Sequence, residues 1–172
     1  TPIPVGDGPS AVAAIGPTSV VVTHLYAAEL AVIDLAAAPP LVTRVPGPKL
    51  AASVVVDGEL AFVAEHARDT VSALEVNAGF KERWRTPVAM NPRAMAVTSA
   101  GLAVGSLQTG EVEVLEVATG KVLTSAQPKP GTPIVGGTTQ KYSQYVMNGK
   151  APRALVASPK LGRLFLASIG PN

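Results

Sequence analysis

Few side chains in this 172-residue sequence have the type and spacing that chemistry needs, and the best of them recur at a fixed interval. His24, Glu65 and Ser106 stand at equivalent places in successive segments, 41 residues apart, and Ser168 opens a further copy. His66, Arg68 and Asp69 follow Glu65 directly. Imidazole and carboxylate are competent metal ligands and competent acid–base pairs. However, His24 comes from one segment and Glu65 and His66 from the next, with no helical His pair or other local ligand spacing. Glu65 and His66, as neighbours on an extended strand, should also point to opposite faces. The reading kept is a polar rim of His24, Glu65, His66, Arg68, Asp69 and Ser106, with neither a metal site nor a catalytic constellation.

Lys49, Arg93 and Arg153 form a second candidate set, since each directly follows a proline. If they repeat around a common opening, three cations could hold a carboxylate, a phosphate or an acidic partner through charge-assisted hydrogen bonds. The plainer reading is a set of solvated charges. Tyr142 and Tyr145, two of three tyrosines in the chain, lie in a Gly- and Pro-punctuated stretch over residues 127–150. With Val146 and Met147 they could grip a partner, or they could pin a surface excursion to the body of the fold.

Other motifs fail on context. The glycines around Gly6 and Gly8 are followed by Pro9 and lead into a strand, where a dinucleotide fingerprint needs a helix. No Gly-x-Ser-x-Gly elbow, phosphate loop or acidic calcium loop occurs. With zero Cys, disulfides, thiolate-bound zinc, thiol nucleophiles and covalent haem attachment are excluded within this segment.

The elements that must position these residues are strands. Val20 to Leu35, Ala61 to Val76 and Leu102 to Val117 align without gaps at a spacing of 41, and Leu164 to Ser168 begins another copy. An opening run accompanies each copy, at Pro9 to Val12, Pro48 to Ala51, Pro92 to Met95 and Pro152 to Leu155. Closing runs follow at Leu41 to Val45, Lys81 to Thr86 and Lys121 to Ser125. Asp57-Gly58, Ala100-Gly101 and Thr119-Gly120 supply the positive φ of tight turns. Four short strands per period of about 40 to 45 residues is the signature of propeller blades. Innermost strands should be buried on both faces, while the third strand should turn Glu111, Glu113 and Glu116 to water between Val112, Val114 and Val117.

Composition agrees: 47% hydrophobic residues with 15% charged ones can bury a core, and 4% aromatic content leaves small and β-branched side chains to fill it. A formal charge of +2 without a long basic run argues against nucleic-acid binding. No apolar run reaches the roughly 18 to 20 residues of a membrane-spanning helix. Thr1 opens on a Pro-rich segment without a charged leader, as expected if a signal has been removed or the chain is cut from something longer.

The runs Glu111 to Pro133, Ile3 to Ala14 and Ala151 to Ser168 resemble YVTN-type propeller repeats, found in lactonase-like and surface-layer propellers. The resemblance implies an all-β partial propeller of about three and a half four-stranded antiparallel blades. Their expected bounds are residues 5–45, 48–86, 91–126 and an incomplete 151–172, with 127–150 as an inserted loop. Because a fraction of a ring leaves open edges, the remaining blades should come from missing sequence or another chain. The function expected is an extracytoplasmic scaffold, periplasmic or extracellular, that binds a protein partner or anionic ligand with no cofactor evident in this segment. One alternative is the propeller portion of a periplasmic redox enzyme whose haem or quinone lies elsewhere. Another is a metal-dependent, lactonase-like hydrolase.

Overall fold

The computed structural model describes residues 2–126, 152–158 and 163–168. The inserted loop with Tyr142 and Tyr145, and the side chain of Ser168, lie outside the described residues. Apart from one 3-10 turn at Val76–Ala78, every described element is a strand. No helix among the described residues is long and apolar enough to cross a membrane.

Two compact units divide the chain, Thr1–Arg85 and Thr86–Asn172. The first holds two antiparallel meanders. One is β1 (Pro9–Ala14), β2 (Ser19–His24), β3 (Glu29–Asp34) and β4 (Leu41–Pro46); the other is β5 (Ala51–Asp57), β6 (Leu60–Glu65), β7 (Thr70–Glu75) and β8 (Lys81–Pro87). The second unit holds β9 (Pro92–Thr98), β10 (Gly101–Ser106), β11 (Val112–Leu115) and β12 (Val122–Ala126), followed by the pair β13 (Pro152–Ser158) and β14 (Arg163–Ser168). Each sheet keeps its strands in chain order, as hairpin connections dictate.

The turn glycines behave as their sequence positions require. Gly58, Gly101 and Gly120 take φ of 56°, 136° and 75°. Apolar residues of small volume then let the sheets stack. In the first unit Val21 and Leu30 pack with Val54, Ala61, Val63 and Leu74; in the second, Ala94, Ala96 and Ala103 pack with Leu155 and Leu164. Burial is deepest along the second strand, where β6 and β10 are buried at every residue. A tilted ring contact at 5.8 Å joins Phe62 to Trp84.

All the innermost strands start with the same irregularity. The ladder slips between Pro9 and Ala11, between Ala51 and Ser53, between Pro92 and Ala94, and between Pro152 and Ala154. One extra residue is therefore bulged out at Ser10, Ala52, Arg93 and Arg153. Just before three of these bulges the chain turns through a left-handed residue, Gly8 at φ 65°, Leu50 at 59° and Asn91 at 60°. The carbonyls of these residues accept from Leu25, His66 and Leu107, which closes the start of each inner strand onto the end of its neighbour.

This register corrects two expectations. Pro48 does not open a strand: β5 begins at Ala51, and Ala52 occupies the bulge that Arg93 and Arg153 occupy elsewhere. Lys49 precedes the left-handed Leu50 and is not the equivalent of the two arginines. Nor does Glu113 reach water. All of β11 is buried, Glu113 included at 9% exposure, because its carboxylate has a backbone partner inside.

Candidate functional site

The polar residues that end the second strands are interior. His24, Glu65 and Ser106 are each fully buried, and none offers a free rim group. On β2, His24 is held by two carbonyl oxygens, Nε2 on Val5 at 2.7 Å and Nδ1 on Glu29 at 3.2 Å. Carbonyls only accept, so the shorter contact places an N–H on Nε2. The ring pins the segment before β1 and has no lone pair aimed at a vacant space.

On β6, Glu65 accepts from Ser72 Oγ at 2.8 Å and pairs with Arg85 Nε at 3.1 Å through Oε1. Arg68 approaches Oε2 at 3.5 Å from a more exposed position. Arg85 also donates to Ser72 Oγ at 2.9 Å and pairs with Glu82 at 2.8 Å. A buried carboxylate is tolerated because it is paired and hydrogen-bonded at once. His66, next in sequence, is tied instead to the Leu50 carbonyl, at 2.9 Å from Nδ1. Asp69 adopts a left-handed turn at φ 55°.

On β10, Ser106 Oγ donates to the Ala89 carbonyl at 2.8 Å, and Glu113 Oε2 on β11 accepts the Ala89 N–H at 2.6 Å. Burial pushes the Glu113 carboxyl above its ordinary value of 4.5; the Ala89 N–H opposes the shift, and the neighbouring charge of Glu111 adds to it. Sequence reasoning singled out Ser106 without its acidic partner. It likewise missed Ser72, Arg85 and Glu82. The signal was there in the repeat: Glu65 and Ser72 occupy the columns that hold Ser106 and Glu113, so the acid and the hydroxyl exchange places between the two sheets.

Among the described residues, no three His, Asp or Glu side chains come together to hold a metal ion. The exposed candidates are Lys49, Arg68 and Arg153, with Arg93 half-buried and its Nε on Asn91 Oδ1 at 3.3 Å. Arg93 and Arg153 occupy the same bulge on β9 and β13, the innermost strands of two sheets packed together in one unit.

No family model and no curated protein matches the chain. Solved structures do. Hydrazine synthase of Kuenenia stuttgartiensis superposes with a TM-score of 0.67 at 16% identity, over 89% of this chain and 40% of that one. A streptogramin B lyase gives 0.67 at 14% identity, over 96% of this chain and 49% of that one. The computationally designed Ika4 protein gives 0.65 at 13% identity, over 96% of this chain and 94% of that one. The fold is a partial β-propeller: three four-stranded blades and the two innermost strands of another. The chain spans less than half the length of the two natural propellers.

Proposed function

We infer that this chain is part of an extracytoplasmic propeller of YVTN type that acts as a binding scaffold for a carboxylate-bearing partner, with no reaction carried by its own residues. One observation carries the reading. The histidine, acid and serine best placed for chemistry are spent on backbone and side-chain contacts inside the blades, whereas Arg93 and Arg153 stand at matched bulges of adjoining inner strands. Paired guanidinium groups recognise carboxylates through charge-assisted hydrogen bonds. No cofactor is assigned to these residues.

Isothermal titration with citrate and with a hexaglutamate peptide at low ionic strength tests it. Binding that weakens with added salt, and that is lost in the Arg93→Ala, Arg153→Ala double variant, supports the scaffold. Binding indifferent to both changes counts against it.

A second reading, the propeller portion of a redox enzyme, draws on the likeness to hydrazine synthase and to a europium-containing methanol dehydrogenase, the latter over 67% of this chain with a TM-score of 0.54. Visible absorbance of the protein purified from its full gene separates the two: a Soret band or quinone spectrum favours the enzyme. The metal-dependent hydrolase has less support, because the His24 nitrogens and the Glu65 carboxylate are already engaged.

A further inference from the structure

Three positions set the second sheet apart from the first and the third. The residue after the second strand is Leu25, His66 and Leu107 in turn, and each gives its N–H to the carbonyl of a left-handed residue, Gly8, Leu50 and Asn91. The residue before that carbonyl is Asp7, Lys49 and Met90, and the third residue of the loop is Ala27, Arg68 and Thr109. Of the three sheets, only the second puts basic side chains at all of these places. The other two make the same turn with apolar, acidic or hydroxyl side chains, so the fold itself does not ask for lysine, histidine and arginine there.

His66 is the side chain that the backbone orients. Its Nδ1 lies 2.9 Å from the same Leu50 oxygen that accepts its backbone N–H at 3.1 Å. A carbonyl only accepts, so Nδ1 carries a proton and the ring is held against Leu50. Nε2 has no partner among the described residues and is not buried. Lys49 precedes the carbonyl that holds the ring, and Arg68 closes the turn after it with its N–H on the Glu65 carbonyl at 3.1 Å. Both are exposed, and Arg68 gives Glu65 only one contact at 3.5 Å. The carboxylates nearest in sequence are engaged: Glu65 is buried against Arg85 and Ser72, and Asp69 has a partner of its own. A carbonyl-oriented imidazole is also how proteins hold metal ions. Two cations beside it, and no cluster of further ligands among the described residues, favour an anion instead.

We propose that Lys49, His66 and Arg68 form a binding site for inorganic hydrogen phosphate at this end of the second sheet. The ammonium and the guanidinium neutralise its two charges. In the neutral ring Nε2 offers a lone pair, which takes the hydrogen bond of the one P–O–H that the dianion keeps. Sulfate has no such proton, and a phosphate monoester has lost it above about pH 6. Both leave Nε2 facing an unprotonated oxygen. The site lies wholly within Thr1–Arg85 and uses neither Arg93 nor Arg153.

Isothermal titration at about pH 8, where an imidazole is ordinarily neutral, tests it on the protein made from its full gene. Phosphate should bind at least about tenfold more tightly than sulfate or glycerol phosphate, as one charge-assisted hydrogen bond allows. His66→Leu restores the residue of the other two sheets and should erase that preference. Lys49→Met and Arg68→Thr should weaken phosphate and sulfate alike, and the Arg93→Ala, Arg153→Ala double variant should leave phosphate binding unchanged. The first three replacements are residues that the same turn already carries elsewhere in the chain, so the far-ultraviolet spectrum should stay that of a β protein. Failure of phosphate to bind, sulfate or glycerol phosphate binding as tightly, a preference that survives His66→Leu, loss of phosphate in the double variant, or zinc bound at His66 in place of phosphate would each overturn the proposal.

Discussion

Ser106 and Glu113 hold both backbone polar groups of one residue: the hydroxyl donates to the Ala89 carbonyl and the carboxylate accepts the Ala89 N–H. Side chains from two adjacent strands thereby fix the segment that leads into β9. Replacing Glu113 with Ala leaves a half-buried N–H without its acceptor, and should cost about 1–3 kcal/mol. The urea midpoint of the variant measures it.

The same carboxyl gives stability a pH dependence whose sign follows from its raised pKa. In the unfolded chain Glu113 releases its proton near the ordinary value of 4.5; in the folded chain it releases it at higher pH. Between those two values the folded state binds more protons, so its stability falls as pH rises, and is flat on either side. Glu113→Gln keeps a carbonyl acceptor for Ala89 and removes the titration. The wild type should therefore lose stability relative to Glu113→Gln as pH climbs from about 4.5 through the folded value. A constant difference across that range would show that the carboxyl does not titrate differently in the two states.

Arg85 and Arg68 both approach Glu65, but they are not equivalent partners. Arg85 is within 3.1 Å of the buried carboxylate and also bonds Ser72 and Glu82. Arg68 reaches only 3.5 Å, with 45% of its side chain in water. Arg85→Ala leaves the buried carboxylate with Ser72 and only the long contact to Arg68, and should cost about 3 kcal/mol. Arg68→Ala removes a screened surface pair and should cost under about 1 kcal/mol. Equal losses in urea unfolding would mean that the two guanidinium groups share the charge evenly.

How far the sequence reached can be read from particular residues. The period of 41 and the turn glycines were legible because they are local or strictly repeated, whereas full burial was expected of the innermost strands and is found instead along the second strands β6 and β10. Lys49 was misplaced because Pro48 resembles the other opening prolines, while the feature that sets the register is a left-handed Leu50, which nothing in a leucine announces. Glu113 looked solvent-facing by alternation. Its inward setting depends on Ala89, 24 positions away, and a single strand's pattern cannot carry that. The burial of His24 and Glu65 was hidden for the same reason: their partners Val5, Ser72 and Arg85 lie on other strands or beyond the sheet.

Turn glycines separate into two kinds that substitution should distinguish. At Gly101 a Cβ would lie 2.3 Å from the Leu115 carbonyl oxygen, and φ is 136°. At Gly58 nothing stands within 4 Å, and φ is 56°. Gly58→Ala should meet only the left-handed penalty of about 1 kcal/mol. Gly101→Ala adds a backbone collision that the β10–β11 ladder cannot relieve without breaking pairs, so about 3 kcal/mol is expected. Thermal midpoints of the two variants give the comparison, and a Gly58 variant as unstable as the Gly101 one would show that φ alone decides.

His24 should control how firmly the segment ahead of β1 is held. Its Nε2–H bond to Val5 is the polar contact, and Ile3 and Val5 on Val22, Ala31 and Ile33 are the apolar one. Removing the donor in His24→Ala leaves the part-buried Val5 carbonyl unmatched, worth about 1 kcal/mol, so local opening should become roughly fivefold to tenfold more frequent. His24→Gln places an amide N–H where Nε2 stands and should recover part of the loss. Thermolysin cleavage ahead of Ile3 and Val5 reports the opening directly, with rates ordered wild type, Gln variant, Ala variant. Identical rates in all three would mean that the apolar contact of Ile3 and Val5 suffices, and that the imidazole serves only to satisfy its own burial.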